Sequence, residues 1–431
     1  MLDIKLIREN PDKILKNLKR RNNTLYIEMY KKLIDKDAEW RSLKIKIDNL
    51  RNQRNKFTKE IQSLKKNNRK EEINNLISKA KKIPEIIKKL DIEKNKLESE
   101  IKYLLLTIPN TLDDTVPYGE DSNGNMVIEK WGEKPIFNFK PKSHVDLVNN
   151  LQLADIERAA KTSGTRFYFL KNHLVELEFA LILHSINILK KNGFDLIIPP
   201  TLVRSFIMEG GGFLPTFRED VYKIEDEDLY LVGTSEAPLV GMHADEILYD
   251  KNLPLRYGGI STCFRTEAGA HGKDTKGIFR THHFEKVEMV SFTNEDDSIS
   301  EHDYLFKTAE SFWQSLGLHY QKVNICTGDI GIVASKKYDL EAWYPSKSEY
   351  RELVSTSNCT DYQARRLNIR YRKKDGMPTK MCHTLNSTLI ALERGLTCIL
   401  ENYQKEDGSV EIPKILQKYT NFKEIEIINN K

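Results

Sequence analysis

Two heptad repeats between residues 28 and 106 constrain the fold more than any other feature of the sequence. In the first run, positions a and d carry Leu33, Trp40, Ile47 and Ile61 at a, and Leu43, Leu50, Phe57 and Leu64 at d, with polar Arg54 at a and Lys36 at d. The second run has Ile73, Ala80, Ile87 and Ile101 at a, and Leu76, Ile83, Leu90, Leu97 and Leu104 at d, with Lys94 as its polar a residue. A short polar segment, 65–70, separates the runs. The pattern predicts an antiparallel helical hairpin about 50–60 Å long, with a local kink at Pro84.

Charge distinguishes this predicted hairpin from the rest of the chain. Residues 27–105 hold 22 Lys+Arg and 13 Asp+Glu, a net charge of +9, whereas the whole chain carries +5, which leaves −4 elsewhere. A basic rod suits a polyanion, because contacts to phosphates carry affinity that does not depend on base sequence. A dimerisation coiled coil with solvated lysine-rich faces would produce the same pattern.

The remaining segments follow other patterns. Residues 1–25 predict a short helical lead-in, with a helix beginning at Asn10 and Pro11. Residues 108–142 are rich in Pro and Gly and lack periodicity, which predicts a linker. An amphipathic helix, 174–191, ends at Gly193, and 195–200 reads as a buried strand that ends in prolines. The 431 residues therefore predict an N-terminal helical domain (1–107), the linker, and a globular domain (143–431).

Several classes of protein are disfavoured by composition. No apolar run reaches the ~18–20 residues that a membrane-spanning helix needs, and the N-terminus lacks the apolar core of a secretory signal. The five cysteines are scattered without a CxxC pair, so neither a zinc site nor a disulfide framework is expected. We therefore expect a cytoplasmic protein without zinc or membrane contact.

The stretch 263–288 reads as two antiparallel strands joined by a long basic loop with Gly269, Gly272 and Gly277. Arg265, Glu267, Arg280 and Glu288 would project from it, and arginine offers a planar set of donors that fits phosphate or carboxylate. Such a ribbon suits a bound nucleotide. An exposed charged hairpin is the alternative interpretation of the same residues.

Resemblance to a known family narrows these alternatives. FRTEAG, DTKGIFR and FEKVE resemble the second signature motif of class II aminoacyl-tRNA synthetases in its seryl-tRNA synthetase form. Further segments resemble the same family, in the same order and along nearly the whole chain. They are MLDIKLIRENPDKI, SGTRFYFL, LYLVGTSEAPL, STSNCTDYQARR, HTLNSTLIALER and ILENYQKEDGSVEIP. The resemblance implies an α+β fold, in which helices flank an antiparallel sheet and an N-terminal helical hairpin forms a coiled-coil arm.

It also implies a function. The chain would activate L-serine with ATP and transfer the seryl group to the 3′ end of tRNA(Ser), with tRNA(Sec) as a further candidate. Residues 174–200 resemble the motif that builds a homodimer interface, and the hairpin would grip the long variable arm of the tRNA. One subunit's hairpin would then direct tRNA to the active site of the other.

The resemblance assigns residues to ATP. Arg265 would bridge the serine carboxylate and the α-phosphate, Phe284 would stack on adenine, and Glu267 would lie on the adenine side. Arg280 and Arg394 would reach the γ-phosphate, and Glu352 and Ser355 would hold Mg²⁺ through hard oxygen ligands. The full ATP set is Arg265, Thr266, Glu267, Arg280, Thr281, Phe284, Glu352, Leu353, Val354, Ser355 and Arg394.

The resemblance also assigns a serine pocket, with Thr234, Ser235, Glu236, Arg265, Glu288, Asn386 and Thr388. One carboxylate would take the ammonium group, while a carboxylate and a hydroxyl would pair with the serine hydroxyl. A site built to hydrogen-bond a hydroxyl rejects the analogue that lacks it by as much as ~10⁴-fold, which would exclude alanine. Threonine would be excluded by shape. Arg265, Glu288 and Arg394 are the predicted catalytic residues.

Some positions depart from the family pattern. His283 stands where glutamine is usual, and Ser387 and Leu389 stand where many members have glycine and a smaller residue. A neutral imidazole can donate or accept a hydrogen bond as an amide does, so we interpret His283 as structural. Two rival functions remain open at this stage. One is a paralogue that loads a carrier protein or confers antibiotic resistance, and the other is an inactive RNA-binding protein.

Overall fold

The computed structural model describes residues 1–66, 69–268, 274 and 276–427. The predicted loop glycines Gly269 and Gly272, Thr275 of the second motif, and Asn67 and Asn68 of the polar segment lie outside the described residues. The chain forms two compact units. A helical unit contains residues 2–19 and 23–108, and a second unit, here called the body, contains residues 20–22 and 109–431 together with Met1.

In the part of the helical unit that the structure describes there are four helices: α1 (Ile4–Glu9), α2 (Pro11–Lys19), α3 (Thr24–Lys66) and α4 (Lys70–Thr107). Helix α1 begins where the side chain of Asp3 accepts a hydrogen bond from the backbone N–H of Lys5, as an N-cap residue does. Helices α3 and α4 pack along each other, which confirms the predicted antiparallel hairpin.

The hairpin is held by the apolar residues of its heptads. Ile47, Ile83 and Ile87 are buried against one another, with Leu50, Phe57 and Leu90 packed beside them. The polar residue Arg54 is exposed although it occupies an a position, which agrees with the cost of burying an unpaired charge. Helix α4 continues through Pro84, although proline has no N–H to donate to the preceding turn.

The described residues of the body form eight α-helices: α5 (His144–Asn150), α6 (Ile156–Ser163), α7 (His173–Lys191), α8 (Ser205–Gly211), α9 (Glu236–Gly241), α10 (Ser298–Ser315), α11 (Tyr362–Leu367) and α12 (Leu392–Asn402). A capping box between Ser143 and Asp146 starts α5. The predicted helix at 174–191 is confirmed as α7. It ends before Gly193, whose φ of +70° is a conformation that glycine adopts without steric cost.

The strands described in the body are β1 (Met126–Trp131), β2 (Ala154–Asp155), β3 (Phe169–Leu170), β4 (Asp195–Ile197), β5 (Leu202–Val203), β6 (Tyr230–Leu231), β7 (Ile247–Tyr249), β8 (Leu255–Phe264), β9 (His283–Thr293), β10 (Tyr320–Asn324), β11 (Lys336–Tyr344), β12 (Glu349–Asn358), β13 (Arg370–Arg372), β14 (Lys380–Met381), β15 (His383–Ala391), β16 (Val410–Glu411) and β17 (Glu424–Ile425). The predicted pair around the basic loop is confirmed as antiparallel β8 and β9. Strand β9 begins at His283, so Phe279 and Arg280 lie in the loop.

One eight-stranded sheet organises the body, in the order β1-β10-β11-β12-β15-β9-β8-β4. Its pairs are antiparallel except β4 with β8. Successive side chains of a strand point to opposite faces of a sheet. One face carries Val287 and Met289 of β9 and buries them with α7, α10 and α12 in the main hydrophobic core. The other face is therefore free to carry polar residues.

Two predictions about the body are corrected. Residues 108–142 are not a linker, because β1 pairs with β10 and because Leu112 and Val116 are buried against Val323 and Ile325. The body begins at Pro109 and not at residue 143.

The strand predicted as buried at 195–200 is short, and Leu196 is 39% exposed and Ile198 83% exposed. The reason is its place in the sheet. Strand β4 is an end strand that pairs with β8 alone.

Candidate active site

A polar pocket of about 430 Å³ lies on the face of the sheet opposite the core. Strand β9 forms its floor with Phe284, Lys286 and Glu288, which alternate along the strand with core-facing Val287 and Met289. The floor thus runs from an aromatic ring through a cation to a carboxylate. Lys286 and Glu288 are 7% and 2% exposed.

The neighbouring strand β15 completes one end of the pocket. Asn386 and Thr388 line it, and Thr388 lies directly opposite Glu288 in the antiparallel register. Side chains of such opposed residues have Cβ atoms about 4.5–5.5 Å apart, so a carboxylate and a hydroxyl face the same small volume. Nζ of Lys286 lies 2.5 Å from Oε2 of Glu288 and donates a hydrogen bond to Oγ1 of Thr234 at 3.2 Å.

A second carboxylate lies at the same end of the pocket. Oε1 of Glu236, at the start of α9, accepts hydrogen bonds from the side-chain amides of Gln363 at 2.6 Å and Asn386 at 2.9 Å. Burial and the nearby Glu288 charge raise the pKa of Glu236 to about 7, against the opposing effects of the Gln363 hydrogen bond and of Lys286 and Arg265. A cation bound next to Glu236 would therefore stabilise its ionised form.

Arg265 follows the end of β8 and borders both ends of the pocket. Its Nε donates to the carbonyl oxygen of Gly233 at 3.2 Å, and its guanidinium carbon lies 5.3 Å from the centre of the Phe284 ring. The hydrogen bond orients the planar group, while its terminal nitrogens remain available to an anion. Beside it, Arg280 and Glu267 form an ion pair at 3.0 Å.

The far side of the pocket carries Arg394, Glu352 and Ser355. Nη1 of Arg394 donates to the carbonyl oxygen of Glu352 at 2.9 Å and lies 3.8 Å from its Oε2. Partial burial acts to raise the pKa of Glu352, but the positive charges of Arg394 and Lys337 outweigh it and hold the pKa below its ordinary value. Glu352 is therefore an ionised carboxylate in a pocket that the Ser355 side chain also lines. Within the described residues, no group of three or more His, Cys, Asp or Glu side chains could hold a metal ion by itself.

Most of the predicted site residues meet in this pocket. Those that line it are Thr234, Glu236, Arg265, Glu267, Arg280, Thr281, Phe284, Glu288, Glu352, Leu353, Ser355, Asn386, Thr388 and Arg394. Three do not line it. The hydroxyl of Ser235 pairs with that of Ser261 at 2.7 Å, Thr266 donates to the backbone of Glu219, and Val354 is part of the hydrophobic core.

Other lining residues were missed by sequence reasoning. Lys286 could have been found, because the alternation in FEKVE places it on the same face as Phe284 and Glu288. Lys337 and Phe279 also line the pocket. Gln363 had no signal in the sequence, because only the fold brings α11 to Glu236.

Glu393 was missed as well, although it lines the pocket next to Arg394. Its carboxylate accepts the backbone N–H of Glu285 at 3.0 and 3.2 Å and the hydroxyl of Tyr168. Burial raises the pKa of Glu393 to about 8. The contact ties the start of α12 to the strand position that follows Phe284.

The residues that depart from the family pattern lie outside the pocket lining. The ring of His283 stacks on Tyr168 with centroids 5.2 Å apart. The hydroxyl of Ser387 lies 2.6 Å from that of Thr356, and Leu389 is buried in the core. These substitutions therefore act on packing behind the site.

Comparison with known proteins covers both units. Residues 1–112 match the family model described as the seryl-tRNA synthetase N-terminal domain, and residues 221–403 match the tRNA synthetase class II core domain (G, H, P, S and T). The chain is 46% identical over 451 aligned positions to a serine–tRNA ligase of Pyrococcus horikoshii, an alignment that covers 100% of this chain and 99% of the relative.

Solved structures agree with this similarity. The crystal structure of seryl-tRNA synthetase from P. horikoshii complexed with ATP matches with a TM-score of 0.95 and 46% identity, over 99% of this chain and 100% of that one. The cytoplasmic serine–tRNA ligase of Naegleria fowleri in complex with AMP matches with a TM-score of 0.88 and 35% identity, over 100% and 99% of the two chains. Both matches cover the pocket and the hairpin.

Proposed function

The chain belongs to the seryl-tRNA synthetase family, and we infer on that premise that it is a serine–tRNA ligase. In the first step a carboxylate oxygen of serine attacks the α-phosphorus of ATP, and pyrophosphate leaves to give seryl-adenylate. In the second, a ribose hydroxyl of the terminal adenosine of tRNA(Ser) attacks the seryl carbonyl, and AMP leaves. The observation that carries the proposal is the floor of the pocket. There the ring of Phe284 offers a surface on which a base could stack, and Lys286 and Glu288 continue from it into a polar end that could hold serine.

We assign the ATP end of the pocket to the residues around Arg265 and Phe284. An adenine ring on the face of Phe284 would place the α-phosphate within reach of the Arg265 guanidinium, which lies over the same ring. Arg280 and Arg394 border that end and would bind the distal phosphates. Because phosphoryl-transfer chemistry needs alignment and charge neutralisation more than covalent help, fixed arginines suit this step. The same end is lined by Glu267, Thr281 and Leu353. The side chains of Thr266 and Val354 do not line the pocket, so these two residues would contact ATP through their backbone or not at all.

We assign the other end to serine. Glu236 would take the ammonium group, because its two present donors are neutral amides. Glu288 and Thr388 would pair with the hydroxyl, with Thr234 and Asn386 as further lining. Ser235 would support this end from behind through Ser261. The buried polar groups would lose a partner if alanine bound, which penalises alanine strongly.

Mg²⁺ fits the site. Glu352 keeps a lowered pKa and so an ionised carboxylate, and the Ser355 hydroxyl lines the same side of the pocket. These hard oxygens would hold the ion together with the phosphates of ATP, whose charge the ion would neutralise. The protein would supply two oxygen ligands, from Glu352 and Ser355. A small number is expected, because Mg²⁺ in proteins is coordinated mainly by water and substrate phosphates.

Exposed apolar residues support a homodimer. Phe179 and Leu183 of α7 are 60% and 45% exposed, and Ile198 next to β4 is 83% exposed. Exposed large apolar side chains on a helix and beside the end strand of a sheet are typical of a surface that another chain covers. We propose that a second copy covers it. Ile198→Asp should shift the protein toward monomer in light scattering, and an unchanged dimer would argue against this surface.

The helical hairpin is the proposed tRNA-binding arm. Its net charge of +9 supports contact with the phosphates of tRNA(Ser), and tRNA(Sec) is a second candidate substrate for the same arm. The five cysteines are all free and buried, in keeping with a cytoplasmic protein. Within the described residues, no helix has the length and apolarity to cross a bilayer.

The test is serine-dependent exchange of pyrophosphate into ATP, followed by charging of tRNA. Both reactions are expected with serine. Exchange without charging of tRNA would favour the paralogue that loads another carrier, and the absence of both in folded protein would favour an inactive RNA-binding protein. Charging of tRNA(Sec) alongside tRNA(Ser) tests the second substrate.

A further inference from the structure

Lys286 is a lysine that the fold buries on the floor of the pocket. Only 7% of the residue is exposed, on a strand position between Phe284 and Glu288. Lysine is almost never this deeply buried unless it is paired, because removing an ammonium group from water is costly. We therefore expect the buried ammonium group of Lys286 to have a function.

The contacts of Lys286 join two residues that the proposed function assigns to serine. Its Nζ lies 2.5 Å from Oε2 of Glu288 and donates to Oγ1 of Thr234 at 3.2 Å. Among the described residues, Oε2 of Glu288 accepts no hydrogen bond, so its contact with Lys286 is an ion pair. The ammonium of Lys286 is thus the counter-ion of Glu288, and it leaves the second oxygen, Oε1, for a ligand.

The other carboxylate of the pocket is treated differently. Glu236 has two neutral amide donors, from Gln363 and Asn386. Two carboxylates near one amino acid could each attract its ammonium group, and the substrate could then bind in two orientations. A lysine bound to only one of them removes that ambiguity.

We propose, on the basis of the proposed function, that Lys286 is a positioning residue for serine specificity. Its ammonium occupies Glu288 and holds Thr234, so that the substrate ammonium goes to Glu236 and the free oxygen of Glu288 meets the substrate hydroxyl. Lys286 takes no proton and forms no bond in the reaction. It acts through the orientation of Glu288.

The titratable groups around this pair come from several elements. Glu236 begins α9, Cys263 lies on β8 and Arg265 follows it, and Glu352 lies on β12, with the polar side chains of Asn386 and Thr388 on β15. With Lys286 removed, Arg265 is the remaining cation that acts on Glu236, whereas Glu352 also keeps Arg394 and Lys337. A buried carboxylate that loses its cation takes up a proton at higher pH.

The test compares Lys286→Met with Lys286→Arg in the full-length protein. We expect Lys286→Met to lower kcat/KM for serine in pyrophosphate exchange by about 100- to 1,000-fold, because it leaves a buried charge without its partner. The ratio of kcat/KM for serine to that for alanine should fall at least about tenfold, because Glu288 loses the ion pair that orients it toward the substrate hydroxyl. Activity with serine should also acquire a new rise with pH, which a purely structural lysine would not produce. Lys286→Arg keeps the charge and should restore most of the ratio and the original pH profile.

Lys322→Met is the matched control. Lys322 is a half-buried lysine of the same sheet, with its ammonium 4.3 Å from the centre of the Phe306 ring. Its loss should leave the serine-to-alanine ratio and the pH profile unchanged. If Lys286→Met does not fold, Lys286→Gln carries the same expectations.

The outcomes separate the two proposals. Wild-type protein without serine-dependent exchange would overturn the proposed function itself. Wild-type activity together with an unchanged ratio and pH profile in folded Lys286→Met would overturn the role of Lys286 alone. Failure of Lys286→Arg to restore the ratio would show that the shape of lysine, and not its charge, matters.

Discussion

One ion pair of the helical hairpin and one of the body show two different uses of charged side chains. On the hairpin, Arg51 and Asp91 pair at 3.6 Å with both side chains substantially exposed. In the body, Arg256 pairs with Glu301 at 2.6 Å, and the Glu301 side chain is 4% exposed. Exposed pairs contribute little to stability, whereas a buried pair depends strongly on both partners. We propose that exposed charge on the hairpin serves a partner outside it, while a buried pair such as Arg256 with Glu301 holds the shape of the body.

The largest expected effect is on the buried pair of the body. Glu301 accepts two hydrogen bonds from Arg256, at 2.7 and 2.6 Å, and one from Ser291 at 2.7 Å. Glu301→Ala should lower the free energy of unfolding by about 3–5 kcal/mol, because Arg256 and Ser291 lose their acceptor. Urea denaturation measures the change. A cost below about 1 kcal/mol would erase the contrast with the hairpin.

Arg265→Lys should have the next largest effect, on chemistry rather than stability. Lysine cannot reproduce the planar set of donors, so pyrophosphate exchange should fall about 100- to 1,000-fold. Arg372→Lys, on β13 outside the pocket lining, is the control and should retain exchange activity. Near-normal exchange by folded Arg265→Lys would refute the assignment of Arg265.

Shortening the hairpin should separate the two regions. We propose removal of 45–91, with Lys44 joined to Ile92 through a short Gly/Ser turn, which keeps the base of both helices. Charging of tRNA should fall about 100-fold through a higher KM for tRNA, while pyrophosphate exchange stays within about twofold. The intact protein should lose tRNA affinity steeply with salt. Equal loss of both reactions in a folded protein would mean that the hairpin supports the active site.

Serine binding should depend on pH through Glu236, whose pKa is raised to about 7 by burial and the Glu288 charge. The ammonium of serine needs the ionised carboxylate, so KM for serine should rise as pH falls from 8 to 6, approaching about tenfold per pH unit below the pKa. Glu310→Gln is the control, because burial raises the pKa of Glu310 as well but that residue does not line the pocket. A KM that is flat over this range in wild type would exclude Glu236 as the ammonium acceptor.

The smallest effect is expected on the hairpin surface. Arg51→Ala removes contacts with Asp48 and Asp91 at 3.5 and 3.6 Å, and should cost no more than about 1 kcal/mol. Ile47→Ala, in the buried seam of the same helix, should cost about 2–5 kcal/mol. Thermal unfolding of both variants measures the difference. Equal costs would show that surface charge, and not the apolar seam, holds the hairpin.

The accuracy of sequence reasoning differed between the same two regions. The hairpin was predicted almost to its ends, because each seam residue interacts with a neighbour one or two turns away or with its equivalent on the paired helix. In the body, 108–142 was wrongly predicted as a linker, since the pairing of β1 with β10 joins residues about 195 positions apart. Strand 195–200 was predicted as buried because its apolar residues suggested a core, yet β4 ends the sheet.

By itself, the sequence determined the family, the helical arm, the basic charge of that arm and many of the residues that line the pocket. Those features follow from the spacing of residues, and from motifs, within single segments of the chain. Only the tertiary structure decided which polar side chains share one volume. Lys286 became the counter-ion of Glu288, and Gln363 and Asn386 became the neutral partners of Glu236, because strands and helices distant in sequence meet there. The physical reason is that the protonation state of an ionisable side chain depends on the groups near it in space, and that burial strengthens their effect because water no longer screens it.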